Sequence, residues 1–344
     1  MDLELSDEQR WLSESVDTLL AREAEHGRLW ASLVEFGALS VGGDDGLGAV
    51  ELCLIARALG ARLAPVPYLG SAAVRFAAAP LAAELGADAV ALAVLEPGSS
   101  WGAAPDLTVL EPVAGGHVIT GRKTAVEHAV AVARLAVVAA GPQGPTLGVV
   151  DAGAPGVACV PQPALDPMAP MYAVELVDAA VVSEPLGGEA IPRMATIGAL
   201  LAAAEAVGAA GHLLEDACRY AGERRQFGRT IGSFQALRHL MADMYVRQAS
   251  SWSSVLYAAA ALDEDADEAA RTASIAKAYV SRAAREVAHG AMQVFGGIAV
   301  TAEHPAHRFL RRIIVRERQF GDAAHHERAL GRELASSVVR EPIS

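Results

Sequence analysis

Four long segments with the helical period of apolar residues occupy the second half of this chain, and they restrict the folds that it can adopt. They cover about 194–222, 231–262, 267–295 and 319–339, with short connections between them. Consecutive helices of this length and spacing favour a bundle. The sequence therefore predicts a C-terminal four-helix bundle domain over 191–344.

The first quarter of the chain is also predicted to be helical, over 1–86. Ser6 and Gln9 have the spacing of a capping box and precede the apolar positions of an amphipathic helix. The glycine-rich run 42–48 cannot continue a helix and is predicted to be a loop. The other predicted helices are 29–36, 49–59 and a segment that ends near Leu85.

Residues 87–190 have a different pattern, with short runs rich in β-branched residues between Gly, Pro and Asp. This is the spacing of strands, and we expect a middle β domain that forms a barrel or sheet. An N-terminal helical domain, this β domain and the bundle together make an α+β protein. The predicted strands are 90–95, 107–110, 117–121, 135–139, 147–150, 157–160 and 174–181.

Charge and cysteine content exclude several classes of partner. The net charge is −13, from 28 basic and 41 acidic residues, and no basic run is long enough to follow a nucleic acid backbone. We expect no membrane partner, because no uninterrupted apolar window spans a bilayer. The acidic N-terminal residues do not resemble a targeting segment. The three cysteines have no metal-like spacing, so we expect a cytoplasmic protein without a metal site.

Two glycine-containing motifs of the bundle predict an anion site. The first is Glu-Arg-Arg-Gln-Phe-Gly at 223–228, after the first long segment, and the second is Gln-Val-Phe-Gly-Gly at 293–297, after the third. A guanidinium group makes bidentate bonds to phosphate oxygens, and glycines let backbone N–H groups approach an anion. The alternatives are that Arg224 and Arg225 form surface ion pairs with Glu223, and that 296–297 is only a helix C-cap.

The order of helices, strands and bundle, together with these two motifs, resembles the acyl-CoA dehydrogenase family. In that family FAD lies between two subunits, with its isoalloxazine in the β domain of one and its ADP half on the bundle of the other. The resemblance implies that Arg224 contacts the pyrophosphate, that Phe227 packs near the adenosine, and that Gln293 and the backbone of Gly296 and Gly297 complete the pocket. Further matching segments are 42–48, 96–98, 234–236, 242–244 and 274–278.

The residue that removes the substrate α-proton in that family has no equivalent here. Its Glu-Gly-Thr triplet aligns with Phe320 and the two residues after it, and the alternative base position on the third bundle helix aligns with Arg282. Neither side chain can take a proton in this reaction. Glu286 and Asp322 are weak candidates, since Glu286 is expected to pair with Arg282 and Asp322 to cap the last helix.

The predicted β domain also departs from the family pattern. The family's Trp-Ile-Thr-Asn, which lies against the flavin ring, is replaced by 125–128, which begins with Ala125. Leu95 replaces a Thr, and Ser-Ser-Trp-Gly at 99–102 replaces Ala-Gly-Ser-Asp. Glu127 and His128 are expected to be a surface pair on a hairpin.

The resemblance therefore implies a chain that has kept the half of the FAD site given to a neighbour and lost the half it would keep for itself. This pattern is similar to the smaller, non-catalytic subunit of actinobacterial α2β2 enzymes that oxidise steroid side-chain CoA thioesters. The implied partners are an acyl-CoA substrate, a second homologous subunit and an electron-transfer flavoprotein. The alternatives are a self-sufficient homo-oligomer that uses Glu286 or Asp322 as its base, and a redox-inactive lyase or structural module.

Overall fold

The computed structural model describes residues 4–23, 28–41 and 46–340. Helices come first, strands follow, and helices return from Ala190 onward, in agreement with the predicted α+β order. The helices before the strands are α1 (Asp7–Arg22), α2 (Leu29–Glu35), α3 (Ala49–Ala61), α4 (Tyr68–Ala77) and α5 (Ala79–Leu85). The strands of the main sheet are β1 (Val90–Ala93), β2 (Val109–Val113), β3 (Gly116–Glu127), β4 (Arg134–Gly141), β5 (Gly144–Asp151), β6 (Val157–Gln162) and β7 (Met171–Ala180).

The capping box at the start of α1 is confirmed. The backbone N–H of Ser6 donates to Oε1 of Gln9 at 3.0 Å, and the N–H of Gln9 donates to Oγ of Ser6 at 3.1 Å. The segment predicted to continue to Leu85 is two helices, because Ala78 is extended and Pro80 has no N–H to continue a helical ladder. Residues 42–45 of the predicted glycine loop lie outside the described residues.

The seven predicted strands form one sheet with the order β1-β4-β2-β3-β7-β6, and β5 pairs with β4. The contacts of β4 with β1 and β2 are parallel, and the other pairs are antiparallel. The register of β3 on β7 shifts between Lys123 and Val126, which marks a β-bulge. Buried Ala, Val, Leu and Ile side chains from the strands form the core beneath the sheet, including Ile119, Leu135 and Val174.

The chain divides into two compact units. Unit 1 consists of Met1–Arg22, Cys53–Ala64 and Ala199–Ser344, and unit 2 consists of Glu23–Leu52 and Pro65–Gly198. Unit 2 therefore contains the sheet, and unit 1 contains most of the helical bundle. The three domain boundaries expected from the sequence remain a prediction.

The helical region contains one helix more than was predicted. The four predicted segments correspond to α6 (Ala190–Glu223), α7 (Gln235–Asp263), α8 (Ala269–Phe295) and α10 (Ala323–Arg340), and α9 (Ala306–Arg318) lies before the last of them. Three charged residues on the buried side of α9 conceal its apolar period, namely Arg312, Arg316 and Glu317. The 18-residue apolar window in α6 is long enough to cross a membrane, but 89% of it is buried inside the protein.

Buried charges hold α9 in unit 1. The carboxylate of Glu205 accepts from Nη1 of Arg312 at 2.6 Å and lies 2.9 Å from Nε of Arg316, with all three side chains at most 2% exposed. On the other side Lys277 donates to the carbonyl oxygens of Arg316 at 2.6 Å and Glu317 at 3.0 Å. Helix α9 is thus fixed by polar contacts as well as by apolar packing.

Candidate functional site

The first predicted motif forms a small basic hairpin after α6. Its strands are β8 (Arg225–Gln226) and β9 (Arg229–Thr230), and they pair antiparallel. The turn residues Phe227 and Gly228 both have positive φ, +51° and +78°, as in a type I′ turn. A left-handed backbone is unfavourable for Phe by about 1–2 kcal/mol. The residue is nevertheless 92% exposed, and its ring meets the Phe234 ring edge to face with 6.1 Å between centroids.

The arginines of the hairpin do not form the surface ion pairs that were the alternative interpretation. Arg225 donates to the carbonyl oxygen of Gly228 at 3.2 Å, and the guanidinium of Arg229 stacks on Phe234 at 4.1 Å. Within residues 46–340, the Arg224 side chain makes no ion pair with Glu223 or any other acid. Its guanidinium is exposed and remains available for an anion.

The second motif lies at the C-terminal end of α8. Gln293, Gly296 and Gly297 are all exposed there. Gly296 is the C-cap of α8, with φ +68° and a hydrogen bond from its N–H to the carbonyl oxygen of Met292. A Cβ atom added to either glycine would meet nothing within 4 Å. The cap therefore presents open backbone that a ligand can approach closely.

Aromatic contacts bring the two motifs together. Tyr220, on the last turn of α6, meets Phe295 of the second motif edge to face, with 5.5 Å between ring centroids. The other neighbour of Phe295 is His304, at 4.4 Å. Because the N–H of Arg224 donates to the carbonyl oxygen of Tyr220 at 2.8 Å, the start of the hairpin is tied to this contact. The end of α6, just before the hairpin, therefore meets the end of α8 within unit 1.

The turn between α9 and α10 contains an apolar residue where relatives of the expected family have their base. Phe320 is 7% exposed and has φ +56°. The carbonyl oxygen of Phe320 lies 3.0 Å from Nε2 of His326, which holds the turn. Gly321 follows with φ +94°, and a Cβ atom there would approach the His325 ring to 2.5 Å. The turn is rigid and carries no carboxylate before Asp322.

Asp322 has the capping role that the sequence predicted. Its Oδ1 accepts from the backbone N–H of His325 at 2.9 Å. This hydrogen bond lowers the pKa of Asp322, against a smaller effect of burial and with help from Arg318. A general base near neutral pH needs a raised pKa, so Asp322 is poorly suited to remove a proton.

Comparison with known proteins identifies the family of this chain. FadE27 of Mycobacterium tuberculosis, named as an acyl-CoA dehydrogenase, is 31% identical over 332 residues, which cover 90% of this chain and 88% of that protein. The chain belongs to the acyl-CoA dehydrogenase family. Residues 187–335 match the family description "Acyl-CoA dehydrogenase, C-terminal domain". The acyl-CoA dehydrogenase IpdE2 of Mycolicibacterium smegmatis is 42% identical over 119 residues, and the match covers only 35% of this chain and 36% of that protein.

Two solved structures resemble the acyl-CoA dehydrogenase chain over nearly its whole length. A variant of the steroid ACAD Tcur3481-Tcur3483 has a TM-score of 0.88 and 26% identity, covering 97% of this chain and 99% of that chain. The ChsE4-ChsE5 complex from Mycobacterium tuberculosis has a TM-score of 0.86 and 28% identity, covering 99% and 100%. Both structures are named for a pair of components, Tcur3481 with Tcur3483 and ChsE4 with ChsE5.

The other candidate base, Glu286, and the alternative base position, Arg282, are both engaged in ion pairs. Glu286 pairs with Arg247 of α7, and Arg282 pairs with Glu327 of α10 at 2.7 Å. The predicted pair of Glu286 with Arg282 is therefore wrong, because each side chain reaches across to a neighbouring helix instead. The two pairs line a surface groove of about 580 Å³ together with Tyr279 and other apolar side chains. The Glu286 side chain is 57% exposed.

The polar groups at the bulge in β3 are hydrogen-bonded to another residue of this chain. Ala125, with φ +53°, is exposed there and presents no ring. Oε1 of Gln162 accepts from the N–H of Ala125 at 2.8 Å, and the Gln162 amide also bonds the hydroxyl of Thr124. The polar groups of the bulge thus have partners within unit 2.

Glu127 and His128 differ from the prediction of a surface pair. The side chains are only 14% and 6% exposed, with 3.5 Å between Oε1 of Glu127 and Nε2 of His128. The backbone N–H of His128 donates to the carbonyl oxygen of Pro170, which turns the residue inward. The pair is buried because β3 ends beneath the loop that precedes β7.

The sequence analysis missed a buried ion pair that organises the loop after β1. Glu96 and Lys123 are 3.0 Å apart and are 3% and 0% exposed. The Glu96 carboxylate also accepts from the N–H groups of Asp106, Leu107 and Thr108, each at 2.9–3.0 Å. Burial alone would raise the pKa of Glu96, but these hydrogen bonds outweigh it and lower the pKa to about 2. The only signal in the sequence is a lysine within a strand pattern.

Proposed function

We propose that this chain is the non-catalytic subunit of a heteromeric FAD-dependent acyl-CoA dehydrogenase. The observation that carries the proposal is the contrast between two parts of unit 1. The exposed Arg224 and Phe227 lie in the same unit as the open glycine backbone of 296–297, whereas the buried Phe320 lies where the family alignment predicts the base. The region of Arg224 and the glycines suits a ligand shared with another polypeptide. The Phe320 side chain has no group that removes a proton.

The residues present fit the ADP half of FAD. The Arg224 guanidinium offers a planar pair of donors to pyrophosphate oxygens, and it has no competing acid among the described residues. The backbone of Gly296 and Gly297 can approach an anion because no side chain intervenes. Gln293 supplies amide donors, and the exposed ring of Phe227 offers a flat apolar surface for the adenosine.

FAD, when bound, accepts the hydride from the β-carbon of an acyl-CoA thioester in this family. In our proposal Arg224, Gln293 and the glycine backbone of this chain bind and orient the cofactor, and the Phe227 ring excludes water from its adenosine. The partner subunit provides the isoalloxazine site, the thioester pocket and the carboxylate base. An electron-transfer flavoprotein is the proposed electron acceptor. The similarity to a steroid ACAD favours a steroid side-chain thioester as the acyl group.

Co-purification from the native source tests the proposal. We expect a homologous second subunit in a heterotetramer that is yellow and active, whereas the chain expressed alone is colourless and inactive. A yellow, active homo-oligomer of this chain would contradict the proposal and favour the self-sufficient enzyme. A complex that forms with its partner but lacks FAD would favour the redox-inactive module.

A further inference from the structure

The ring of Phe295 is held between two other rings at the centre of the candidate cofactor site. The Tyr220 ring lies at 5.5 Å with an interplanar angle of 68°, and the His304 ring lies at 4.4 Å with an angle of 52°. Phe295 itself is 6% exposed, and its two neighbours are partly buried. We call these three residues, from α6, α8 and the segment before α9, the aromatic clasp.

The position of His304 in this clasp is set by its own backbone surroundings. Nδ1 of His304 accepts from the backbone N–H of Ala306 at 3.2 Å. The carbonyl oxygen of His304 lies 2.7 Å from Nδ1 of His307. Pro305, with φ −72°, restricts the backbone between the ring and α9. The His304 ring is therefore preorganised against Phe295 by contacts at the start of α9.

The clasp connects the two halves of the anion site. Phe295 is the last residue of α8, between Gln293 and the pair Gly296–Gly297, so its ring contacts anchor the cap of α8. Tyr220 lies one helical turn before Arg224 and accepts the N–H of Arg224 on its carbonyl oxygen. A shift of the Phe295 ring would therefore change the distance between the proposed pyrophosphate ligand and the glycine backbone.

We propose that His304 is a positioning residue for the ADP half-site, acting through the ring of Phe295. It does not touch the cofactor. It fixes the C-terminal cap of α8 relative to the hairpin, so that Arg224 and the glycine backbone bind one anion together. This inference rests on the proposed function.

The test compares FAD affinity among variants of the full chain in complex with its partner subunit. His304→Ala removes the ring, and we expect FAD to bind about two- to tenfold more weakly, the range that one aromatic pair contributes. His304→Phe keeps a ring without the acceptor nitrogen, and we expect it to restore most of the affinity. His239→Ala is the matched control, because His239 is an exposed histidine of α7 that makes no ring contact with Phe295 in the described structure.

The melting temperature of each FAD-free complex separates positioning from folding. We expect similar FAD-free melting temperatures for the wild type and His304→Ala, and a smaller rise on FAD addition for the variant. The inference is overturned if His304→Ala binds FAD as tightly as the wild type, if His239→Ala weakens binding equally, or if His304→Phe gives no rescue. If His304→Ala does not fold, Tyr220→Leu removes the opposite ring, and wild-type FAD affinity in that variant overturns the clasp. Unchanged FAD affinity in Arg224→Ala would instead contradict the proposed function.

Discussion

Lys277 donates a hydrogen bond of 2.6 Å from its buried ammonium group to the backbone carbonyl oxygen of Arg316. The same group donates to the carbonyl oxygen of Glu317 at 3.0 Å. These carbonyl groups end α9, where the helix dipole favours a cation. The contact fixes the end of α9 three residues before Phe320. Burial lowers the pKa of Lys277 to about 7, although Glu317 and Asp322 attract its proton.

The first prediction concerns the pH dependence that this lysine confers on stability. In the unfolded chain the pKa of lysine is about 10.4, so between pH 7 and 10 the unfolded state binds more protons than the folded state. The contribution of Lys277 to the free energy of unfolding should therefore rise with pH in this window. Lys277→Met should remove this rise with pH. At pH 7 the substitution should lower the free energy of unfolding by about 1–3 kcal/mol, because two buried carbonyl groups lose their donor. Urea unfolding of both proteins at pH 7.0–9.5 measures the difference, and parallel pH profiles would contradict the prediction.

A second prediction concerns Glu96 and Lys123. Glu96→Gln breaks a buried ion pair and should cost about 3–5 kcal/mol of unfolding free energy at pH 7. The folded pKa of Glu96, about 2, lies below its unfolded value near 4.3. The carboxylate therefore stabilises the fold fully above pH 5, and this stabilisation is lost as the pH falls toward 2. The variant should lack this acid dependence. Glu111→Gln, at an exposed position of β2, is the matched control and should unfold like the wild type.

Amine acylation gives this prediction a residue-specific measurement. Lys123 and Lys277 are the two lysines of the chain, and they are 0% and 1% exposed. Acetylation followed by mass spectrometry should modify neither residue in the folded wild type. Glu96→Gln should increase labelling of Lys123 while Lys277 stays protected as the internal control. Equal labelling of both would indicate global unfolding and would contradict the local role of Glu96.

A third prediction addresses the exposed, left-handed Phe227. Phe227→Gly relieves an unfavourable backbone conformation but makes the unfolded chain more flexible, so the isolated chain should change in stability by less than about 1 kcal/mol. In complex with the partner, FAD affinity should fall at least about tenfold, because an aromatic surface is lost. Val177→Ser removes another exposed apolar side chain, 63% exposed on β7, and should leave FAD affinity unchanged. Equal FAD affinity in both variants would show that the Phe227 ring is not used.

The elements that were predicted correctly are those whose signal is local. The capping box of Ser6 and Gln9 and the strands of the sheet depend on neighbours within a few residues. Helix α9 was missed because Arg312 and Arg316 lie on its buried side, where the distant Glu205 balances their charges. The spacing of apolar residues along the sequence cannot reveal that pairing, since the partners are more than a hundred residues apart.

In the candidate site, too, the features set by nearby residues were predictable and those set by distant partners were not. The hairpin that contains Phe227 lies in the short connection between the first two predicted helical segments, and its glycine and basic residues are local signals. The partners of the candidate base Glu286 and of Arg282 were not predictable, because each pairs with a residue on another helix. The burial of His128 depends likewise on the loop before β7. When a side chain has two possible partners, the tertiary structure determines which of them it contacts.

The last prediction separates a supporting subunit from a self-sufficient enzyme. Glu286→Gln keeps the shape of the side chain but removes its charge, and Asp322→Asn keeps an N-cap for α10. Since Glu286 is in an exposed ion pair and the pKa of Asp322 is lowered, neither carboxylate should act as the base, and both variants should retain turnover in the complex within about twofold. Asp322→Ala is the structural control, expected to lose about 1 kcal/mol of stability while keeping its turnover. Loss of turnover in Asp322→Asn or Glu286→Gln by more than about a hundredfold, the size of a general-base contribution, would assign the base to this chain and reject the supporting role.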